Sequence, residues 1–580
     1  MTYQPPLSDI RYTLRAIGRL EELADLPGCA HATPDVVDAV LEEAGKLAAQ
    51  VLAPLNRPAD VEGSRLENGV VRTPRGFPEA YRAFADGGWM GLVCGEDHGG
   101  QGLPTVVGNA VAELWHAANM SFGLCPMLTQ SAIELLERHG TAEQQAVYLP
   151  RLTEGRWTGT MCLTEPQAGS DVGAVRTRAA RDADGNWRVT GQKIYITYGE
   201  HDLAENIVHL VLARTPDAPA GTRGLSLFLV PKFLPDAEGR PGARNDVRCV
   251  SLEHKLGIRS SPTCVMSFGD HDGAIGWLVG DEQAGMKGMF TMMNNARIGV
   301  GVEGLAIAER AYQQALAYAR ERVQGKGPDG PVRIVAYPDV QRMLLTMKAQ
   351  IEAMRALVLF ASLSHDQAQR TGDAQARGRA DLLTPVVKAW CTDLGVEIAS
   401  LGVQVHGGMG FIEETGAAQH YRDARIAPIY EGTNGIQAMD LAVRKLSIED
   451  GCLPWDLIDA FREDVAHVTE AGEEALAEGL DAGLDSLETA TRWLQKEQEG
   501  DPLARAAGAS PYLRLFGYVT GAMLLSRAAL AGRSFDPAQA EAKLRTARFF
   551  TAQLLPPAAA LLPAITGGSA ILAEAALGPD

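Results

Sequence analysis

Hydrophobic residues change their spacing twice along this chain, and that change constrains the fold more than any other feature of the sequence. Up to about residue 157, apolar residues recur every three to four positions, as in PDVVDAVLEEAGKLAAQVL, which is typical of amphipathic helices. Short β-rich runs such as WRVTGQKIYIT and GLSLFLVPKF then follow one another between turn signals. From about 282 the helical period returns, most clearly in the apolar stripe from Val340 to Val358.

This pattern predicts a mainly α protein that contains one small β domain. Beyond about 448 the sequence is again helical, but it is acidic and rich in alanine and follows a Gly-Cys-Leu-Pro break. The Gly- and Pro-rich segment 326–338 should be a surface excursion between two helices. We therefore predict an N-terminal helical domain at 1–157, a middle β domain at 158–281, a C-terminal four-helix-type bundle at 282–448 and an additional helical domain at 449–580.

The balance of charge and the placement of cysteine disfavour several functional classes. The chain has 53 Lys and Arg against 72 Asp and Glu, and its net charge of −19 repels nucleic-acid phosphates. Its 8 cysteines include no Cys-x-x-Cys pair, so we predict neither a zinc site nor a disulfide framework. We expect no bound metal, no nucleic-acid partner and a location in the reducing cytoplasm.

We find no uninterrupted apolar run of the length that a signal peptide or a membrane span needs. The segment most similar to a membrane span is 554–577, but it is interrupted by Pro556, Pro557, Pro563, Gly567 and Gly568. We interpret this segment as packed helices, and peripheral contact with a membrane stays open.

The run from Gly299 to Gly304 matches GxGxxG, a pattern found in dinucleotide-binding loops. Such a loop must follow a strand and open a helix, so that its amides face a pyrophosphate. Here the run follows MFTMMNNARI and continues into GLAIAERAYQQALAYARER, so both flanks are helical. We predict that these glycines lie within one helix and let a neighbouring helix approach closely.

Two segments far apart in the sequence point to one chemical site. MCLTEPQAGSD at 161–171 enters the β domain with exposed amides, hydroxyls and small residues, so its backbone can bind a polar heterocycle and a pyrophosphate. RDARIAPIYEGTNGIQ at 422–437 holds one carboxylate, Glu431, among apolar neighbours, which raise the pKa of a carboxyl group and suit a general base. Taken alone, Glu431 could instead form an ion pair with a nearby arginine such as Arg422.

These segments resemble the acyl-CoA dehydrogenase family, and the resemblance runs in order over about 30–447. The matching motifs are MCLTEPQAGSD, GQKIYIT, HKLGIRSSPT, NNARIGVGVEGLAIAERA, YARERVQG, QVHGGMGF and RDARIAPIYEGTNGIQ. Two further stretches, GEHDLAENIVHLVLARTPDAPAG and GARNDVRCVSLEHKLG, look most like a long bacterial branch with a C-terminal helical extension. The resemblance implies an acyl-CoA dehydrogenase-like fold and, in that branch, fatty-acyl-CoA or 3-methylmercaptopropionyl-CoA as substrate.

The resemblance also implies an FAD-dependent reaction that forms trans-2-enoyl-CoA. Glu431 matches the base that removes the C2 proton while a hydride leaves C3 for flavin N5. Some relatives carry the base on the helix before the arginine matched by Arg297, but Ala296 occupies that place here and cannot accept a proton. The backbone N–H of Glu431 and a flavin ribityl hydroxyl would hold the thioester oxygen.

The same matching assigns binding roles residue by residue. Residues matched to cofactor contacts are Met161, Thr164, Ser170, Tyr195, Thr197, Arg322, Gln404, Gly407, Gly408 and Thr433. The four from Arg322 to Gly408 match residues that reach the FAD of a neighbouring subunit, which implies a homo-oligomer, and we expect a dimer. Residues matched to substrate contacts are Ser170, Asn294, Arg297 and Gly432. Tyr195 stands where the family usually has Trp.

The implied partners are an acyl-CoA substrate and electron-transfer flavoprotein as electron acceptor. Two alternatives stay open: an acyl-CoA oxidase that reoxidises its flavin with oxygen, and a non-catalytic flavoprotein like the DNA-associated members of the same fold. The acidic charge balance disfavours the second alternative, because DNA binding needs a basic face.

Overall fold

A computed structural model describes residues 3–328, 330–497 and 500–572. Its N-terminal part is helical, as the hydrophobic spacing predicts, with one short hairpin in addition. The helices are α1 (Leu7–Ala16), α2 (Pro34–Leu47), α3 (Ala53–Glu62), α4 (Phe77–Asp86), α5 (Thr105–His139) and α6 (Ala142–Thr153). The hairpin strands are β1 (Arg65–Glu67) and β2 (Val70–Arg72). α5 bends at Asn119, whose side chain accepts a hydrogen bond from the backbone N–H of Phe122 at 3.1 Å.

The middle part confirms the predicted small β domain. Its strands are β3 (Trp157–Cys162), β4 (Arg178–Arg181), β5 (Trp187–Thr197), β6 (Asn206–Arg214), β7 (Leu225–Pro231), β8 (Phe233–Pro235), β9 (Pro241–Arg244), β10 (Val247–Leu252), β11 (Thr263–Phe268) and β12 (Ala274–Val279). The main sheet has the order β10-β11-β5-β12-β7-β6-β3, with β4 beside β5 and β6, and β8 and β9 form a separate hairpin. β3 packs directly on α5, because a Cβ atom added to Gly159 would lie 2.4 Å from that of Ala132.

Helices longer than thirty residues dominate the part that follows. They are α7 (Gly285–Glu321), α8 (Pro338–Thr371) and α9 (Ala374–His406), and shorter helices α10 (Ala417–Ala424) and α11 (Asn434–Met439) complete the segment. The hairpin β13 (Val323–Gly327) and β14 (Gly330–Arg333) occupies most of the predicted excursion and is largely exposed. Within its described residues, this segment supplies three long helices to the predicted four-helix-type bundle.

The GxGxxG run lies inside α7, which confirms the helix-packing interpretation. A Cβ atom added to Gly301 would lie 2.4 Å from a methyl carbon of Val387, and one added to Gly304 would lie 2.4 Å from the backbone oxygen of Cys391. Both neighbours belong to α9. The glycines therefore allow α7 and α9 to pack backbone against backbone.

The C-terminal extension is helical and shares its hydrophobic core with the bundle. Its helices are α12 (Leu453–Glu470), α13 (Glu474–Lys496), α14 (Pro502–Ala531), α15 (Pro537–Gln553), α16 (Leu555–Ala559) and α17 (Leu562–Thr566). The Trp390 ring of α9 lies so close to Gly517 and Gly521 of α14 that added Cβ atoms would approach it to 2.3 and 2.7 Å. α14 thus packs on the long helices of the bundle and completes it.

Two apolar stretches reach the length and composition of a membrane-spanning helix. The first, Leu503–Ser534, has 83% of its apolar window buried inside the protein, as expected for a core helix. The second, Pro537–Thr566, has 28% buried and is divided among α15, α16 and α17. The segment 554–577 forms short packed helices as far as it is described, and residues 573–577 lie outside the described residues.

Candidate active site

Glu431 lies in a tight turn between α10 and α11. Its backbone has φ of 56° and that of Gly432 has φ of 80°, so two successive residues adopt the left-handed conformation. The side-chain amide of Gln437 donates to the carbonyl oxygens of Glu431 and Gly432 at 3.2 and 3.3 Å. The exposed Thr433 caps α11, because its hydroxyl accepts from the backbone N–H of Ile436 at 3.2 Å. A strained conformation held by specific contacts is typical of functional turns.

The Glu431 carboxyl is half-buried, and burial raises its pKa to about 7, although Arg297 and Lys388 act in the opposite direction. No ion pair involves Glu431 within the part of the chain that the structure describes. Arg422, considered from sequence as a possible partner, instead contacts Asp60 at 2.7 Å. The carboxyl group is therefore available to accept a proton near neutral pH.

The residues matched to substrate contacts on α7 lie next to this turn. Arg297 is 6% exposed, and its guanidinium donates to the side-chain oxygen of Asn294 at 3.2 Å. A Cβ atom added to Gly432 would lie 3.8 Å from Nη2 of Arg297. Nε of Arg297 is buried and has no hydrogen-bond partner among the described residues. Glu431, Gly432, Asn294 and Arg297 are thus brought together.

The loop matched to the flavin contacts begins at the edge of the sheet. Met161 is half-buried in β3, Thr164 is half-buried just beyond it, and Ser170 is exposed farther along. The backbone N–H of Ile194 donates to the carbonyl oxygen of Thr164 at 2.9 Å. The loop therefore lies beside β5, next to the residue that precedes Tyr195.

Tyr195 lies where the pairing of β5 with β11 shifts register. Its φ is 60° and its side chain is 60% exposed, which is unusual for an aromatic residue within a strand. Thr197 pairs with Thr263 on β11 and is half-buried. Tyr195, Thr197 and the neighbouring Thr164 form a surface that offers hydroxyl groups and one exposed aromatic ring.

A buried ion pair, which the sequence analysis missed, holds the flavin-matched loop. Glu165 contacts Nζ of Lys193 at 2.8 Å and accepts from the Thr177 hydroxyl at 2.6 Å. Burial raises the pKa of Glu165, but Lys193 and the hydrogen bonds outweigh burial and lower it to about 2. Replacing one member of such a pair leaves a buried charge unpaired, so the Glu165–Lys193 ion pair stabilises the position of the loop.

The loop and the Glu431 turn share one hydrophobic cluster. Met161 and Leu163 on one side and Tyr430 on the other pack against the same buried core. In addition, the backbone N–H of Ile258, between β10 and β11, donates to a carboxyl oxygen of Asp423 in α10 at 2.5 Å. The β domain and the segment that carries Glu431 are therefore joined directly.

The remaining matched residues lie at the opposite end of α7. Arg322 follows this helix directly, and about 25 residues separate it from Arg297, or roughly 37 Å along an unbroken helix. Tyr318 stacks on His406 with ring centroids 4.5 Å apart, which brings the ends of α7 and α9 together. Gln404, Gly407 and Gly408 are exposed at this end. The Arg322 side chain is therefore too far away to contact a chemical group bound at the Glu431 carboxyl of the same chain.

Family models match the chain in four consecutive segments. The N-terminal, middle and C-terminal domains of acyl-CoA dehydrogenase match 36–156, 160–271 and 283–446. The chain belongs to the acyl-CoA dehydrogenase family. A further model, described as acetyl-CoA dehydrogenase C-terminal like, matches 457–576 and covers the extension.

This acyl-CoA dehydrogenase is 47% identical over 569 residues to the 3-methylmercaptopropionyl-CoA dehydrogenase of Ruegeria pomeroyi, covering 96% of each chain. It is 38% identical over 463 residues to a broad-specificity linear acyl-CoA dehydrogenase of Mycobacterium tuberculosis, covering 76% of this chain and 72% of the relative. Among solved structures, ACDH-11 of Caenorhabditis elegans in complex with C11-CoA matches with a TM-score of 0.79 at 23% identity, covering 95% of this chain and 91% of that chain. The last likeness supports the fold of the dehydrogenase together with its extension.

Two polar pairs behind Glu431 were not predicted from the sequence. The Tyr430 hydroxyl donates to the carboxyl group of Glu303 on α7. Nζ of Lys388 on α9 donates to Oδ1 of Asn434 at 2.8 Å. Glu303 and Lys388 are lone charged residues inside apolar helical runs, and that placement is the signal that could have identified them.

Proposed function

We propose that this dehydrogenase uses FAD to form a trans-2-enoyl-CoA, with Glu431 as the base that removes the C2 proton. The observation that carries the proposal is the state of Glu431: a half-buried carboxyl in a strained turn, with a pKa raised to about 7 by burial. A base is most effective when its pKa lies near the working pH, because it is then ionised and still strongly basic.

The surface beside β5 fits a flavin. The exposed ring of Tyr195 can stack against a flat heterocycle, and the hydroxyls of Thr164, Ser170 and Thr197 can bind its polar atoms. A Cβ atom added to Gly169 would meet nothing within 4 Å, so this part of the loop is open to a ligand. FAD, when bound there, would accept the hydride that leaves C3 of the substrate.

The Glu431 turn can act on a thioester with two groups at once. The backbone N–H of Glu431 has no acceptor among the described residues, so it can donate to the thioester oxygen. Negative charge develops on that oxygen as the Glu431 carboxylate takes the C2 proton, and a fixed donor stabilises it. Arg297, whose buried Nε has no described partner, can bind a polar group of the CoA portion.

We propose 3-methylmercaptopropionyl-CoA as the first candidate substrate, because the 47% identity to the Ruegeria pomeroyi enzyme extends over nearly the whole chain. Linear acyl-CoA is the second candidate, supported by the 38% identity to the mycobacterial enzyme. Assays of kcat/KM with an artificial electron acceptor can compare the methylthio substrate with butyryl-, octanoyl- and palmitoyl-CoA. A preference for octanoyl- or palmitoyl-CoA would contradict the first candidate.

We propose a homodimer in which each FAD site is completed by the partner. The support is the distance along α7: Arg322 is too far from Glu431 of its own chain, yet the family pattern gives this position a role in FAD binding. Gln404, Gly407 and Gly408 lie at the same exposed end. The mass in solution, measured by light scattering, tests this proposal, and a monomer that retains FAD would contradict it.

For the electron acceptor we propose electron-transfer flavoprotein, as family membership suggests. We also propose a location in the reducing cytoplasm, because the cysteines suggest no disulfide framework. The competing function is that of an oxidase. Substrate-dependent release of hydrogen peroxide in air, at a rate matching that with electron-transfer flavoprotein, would favour the oxidase. Fractionation of the native host tests the location.

The experiment that tests the central proposal is the variant Glu431→Gln. We expect it to retain its yellow cofactor while the rate of flavin bleaching by substrate without oxygen falls by about 10²- to 10⁴-fold. Glu397→Gln, which alters a half-exposed carboxylate paired with Arg514, is the control and should bleach normally. Normal bleaching by Glu431→Gln would exclude Glu431 as the base, and wild-type protein that cannot bind FAD would exclude the reaction.

A further inference from the structure

Glu303 is a second carboxyl group behind the Glu431 turn, in the middle of α7. Its side chain is fully buried. The Tyr430 hydroxyl donates to its Oε2 atom. Its other oxygen, Oε1, is buried and has no hydrogen-bond partner among the described residues. A buried carboxylate with one bare oxygen is costly, whereas a proton on that oxygen removes the charge.

The charges that face Glu303 come from two neighbouring segments. Lys388 faces it from α9, but its Nζ donates to Asn434, and Glu303 forms no ion pair in the part of the chain that the structure describes. Glu431 faces it from the turn and carries a like charge when ionised. Burial, chiefly, and the charge of Glu431 raise the pKa of Glu303 to about 8, while Tyr430 and Lys388 lower it. The positive charge of Arg297, which also lies on α7, lowers the pKa of Glu431 instead.

We propose that Glu303 is a positioning residue that keeps its proton while Glu431 is ionised, so that the two carboxyl groups carry a single negative charge between them. Its contact with Tyr430, the residue directly before Glu431, holds the strained turn at the same time. This inference deepens the proposed function, because it assumes that Glu431 is the base.

The physical reason is the repulsion between like charges in a buried site. If both carboxyls were ionised, each would raise the pKa of the other, and the base would be protonated at neutral pH. A neutral Glu303 avoids that repulsion and still accepts the hydrogen bond from Tyr430. When Glu303 loses its proton at higher pH, its charge opposes the negative charge that develops on the thioester. The rate of flavin reduction should therefore fall again at alkaline pH.

The first test compares the pH dependence of flavin reduction in rapid-mixing experiments with 3-methylmercaptopropionyl-CoA. For the wild type we expect a rate that rises through about pH 7 and falls by at least about threefold above pH 8. Glu303→Gln cannot ionise but can still accept from Tyr430, so its rate near pH 7 should drop only about threefold and the alkaline fall should vanish. An unchanged alkaline fall in Glu303→Gln would overturn the proposal.

A second variant separates the contact with Tyr430 from the titration. Tyr430→Phe removes the donor and leaves Glu303 able to ionise. We expect kcat for flavin reduction to fall by about tenfold with little change in KM, because the base is displaced from its reacting position. The alkaline fall should persist. If Tyr430→Phe reduced flavin at the wild-type rate, Glu303 would have no positioning role.

A third measurement does not depend on turnover. In the Glu431→Gln variant at pH 7, the infrared spectrum should contain the carbonyl band of a protonated carboxyl group, and that band should be lost when Glu303→Gln is added. Adding Glu397→Gln instead should leave the band in place. If adding Glu303→Gln removed no carbonyl band, Glu303 would be ionised, and the proposal would be overturned. If Glu431→Gln still bleached normally, the proposed base would be wrong, but the band would still report the state of Glu303.

Discussion

Nζ of Lys543 lies 2.5 Å from Oδ1 of Asp9, so an ion pair joins α15 of the extension to α1. Lys543 is buried and Asp9 largely so. The guanidinium of Arg355 on α8 also contacts Asp9 and lies 2.5 Å from Glu113 on α5 and 2.9 Å from Glu309 on α7. One buried network of charges therefore connects α1, α5, α7, α8 and α15, and it is complete only when the extension is docked.

The variant Lys543→Met tests the strength of this connection. It leaves Asp9 with one fewer buried partner, so we expect the free energy of unfolding to fall by about 3 kcal/mol. The measurement is equilibrium unfolding in urea. Arg545→Met on the same helix is the matched control, because the Arg545–Glu541 pair at 3.4 Å has side chains that are 65% and 51% exposed. The control should change stability by less than about 1 kcal/mol, and equal losses in both variants would contradict a special role for Lys543.

Lys388 should influence the pH dependence of the reaction. Burial raises the pKa of Glu431 to about 7, while the positive charges of Arg297 and Lys388 oppose that rise. Only ionised Glu431 accepts a proton, so the rate should fall about tenfold for each pH unit below this pKa. Lys388→Met removes one opposing charge and should move the acidic limb of the rate profile to higher pH. The profile is measured as flavin reduction, with Lys543→Met as a buried-lysine control that should leave it in place, and a shift to lower pH would refute the argument.

The hydrophobic periods of the sequence were sufficient to predict the helical and β parts, because each period follows from the backbone geometry of its own segment. The GxGxxG run could be assigned to a helix for the same reason, since both of its flanks have the helical period. Contacts between segments could not be predicted in this way. The period of α8 identifies the face on which Arg355 lies, but it does not identify Glu113 as its partner.

In the candidate active site, too, features within one segment could be predicted from the sequence, whereas contacts between segments could not. Glu431 could be proposed as the base from the sequence alone, because its apolar neighbours and the matching family motif lie in one continuous segment. The contact between Tyr430 and Glu303 could not be predicted, because it depends on how α7 is rotated against the turn. The exposed ring of Tyr195 depends on a shift in register between β5 and β11, which is set by the partner strand. Such features require the three-dimensional structure.

A mixture of Arg322→Ala and Glu431→Gln, assayed at an FAD concentration too low to load Arg322→Ala alone, should test whether the FAD site is shared between subunits. We expect Arg322→Ala to weaken FAD binding by about tenfold, because it removes a charged donor at the partner's site. In a mixed dimer, the Arg322→Ala chain supplies Glu431 and the Glu431→Gln chain supplies Arg322, so one site is intact. Random pairing should therefore restore about a quarter of the wild-type activity.

The two chains can be coexpressed with different affinity tags, and mixed dimers can then be isolated and assayed. Each variant alone, purified in the same way, provides the control. If the isolated mixed dimer were no more active than the two parent variants, Arg322 would not complete the partner's site.

The close packing of α7 on α9 should make Gly304 intolerant of a side chain. In Gly304→Ala the new Cβ atom would lie 2.4 Å from the backbone oxygen of Cys391, so the two helices would have to separate. We expect the free energy of unfolding to fall by about 2–3 kcal/mol, measured in urea. Gly402→Ala is a matched control in α9, because its Cβ atom would meet Ala311 at an ordinary 3.5 Å. Alanine also favours helix over glycine, so the control should be neutral or more stable by up to about 1 kcal/mol, and a similar loss in both variants would show that the glycines do not determine this packing.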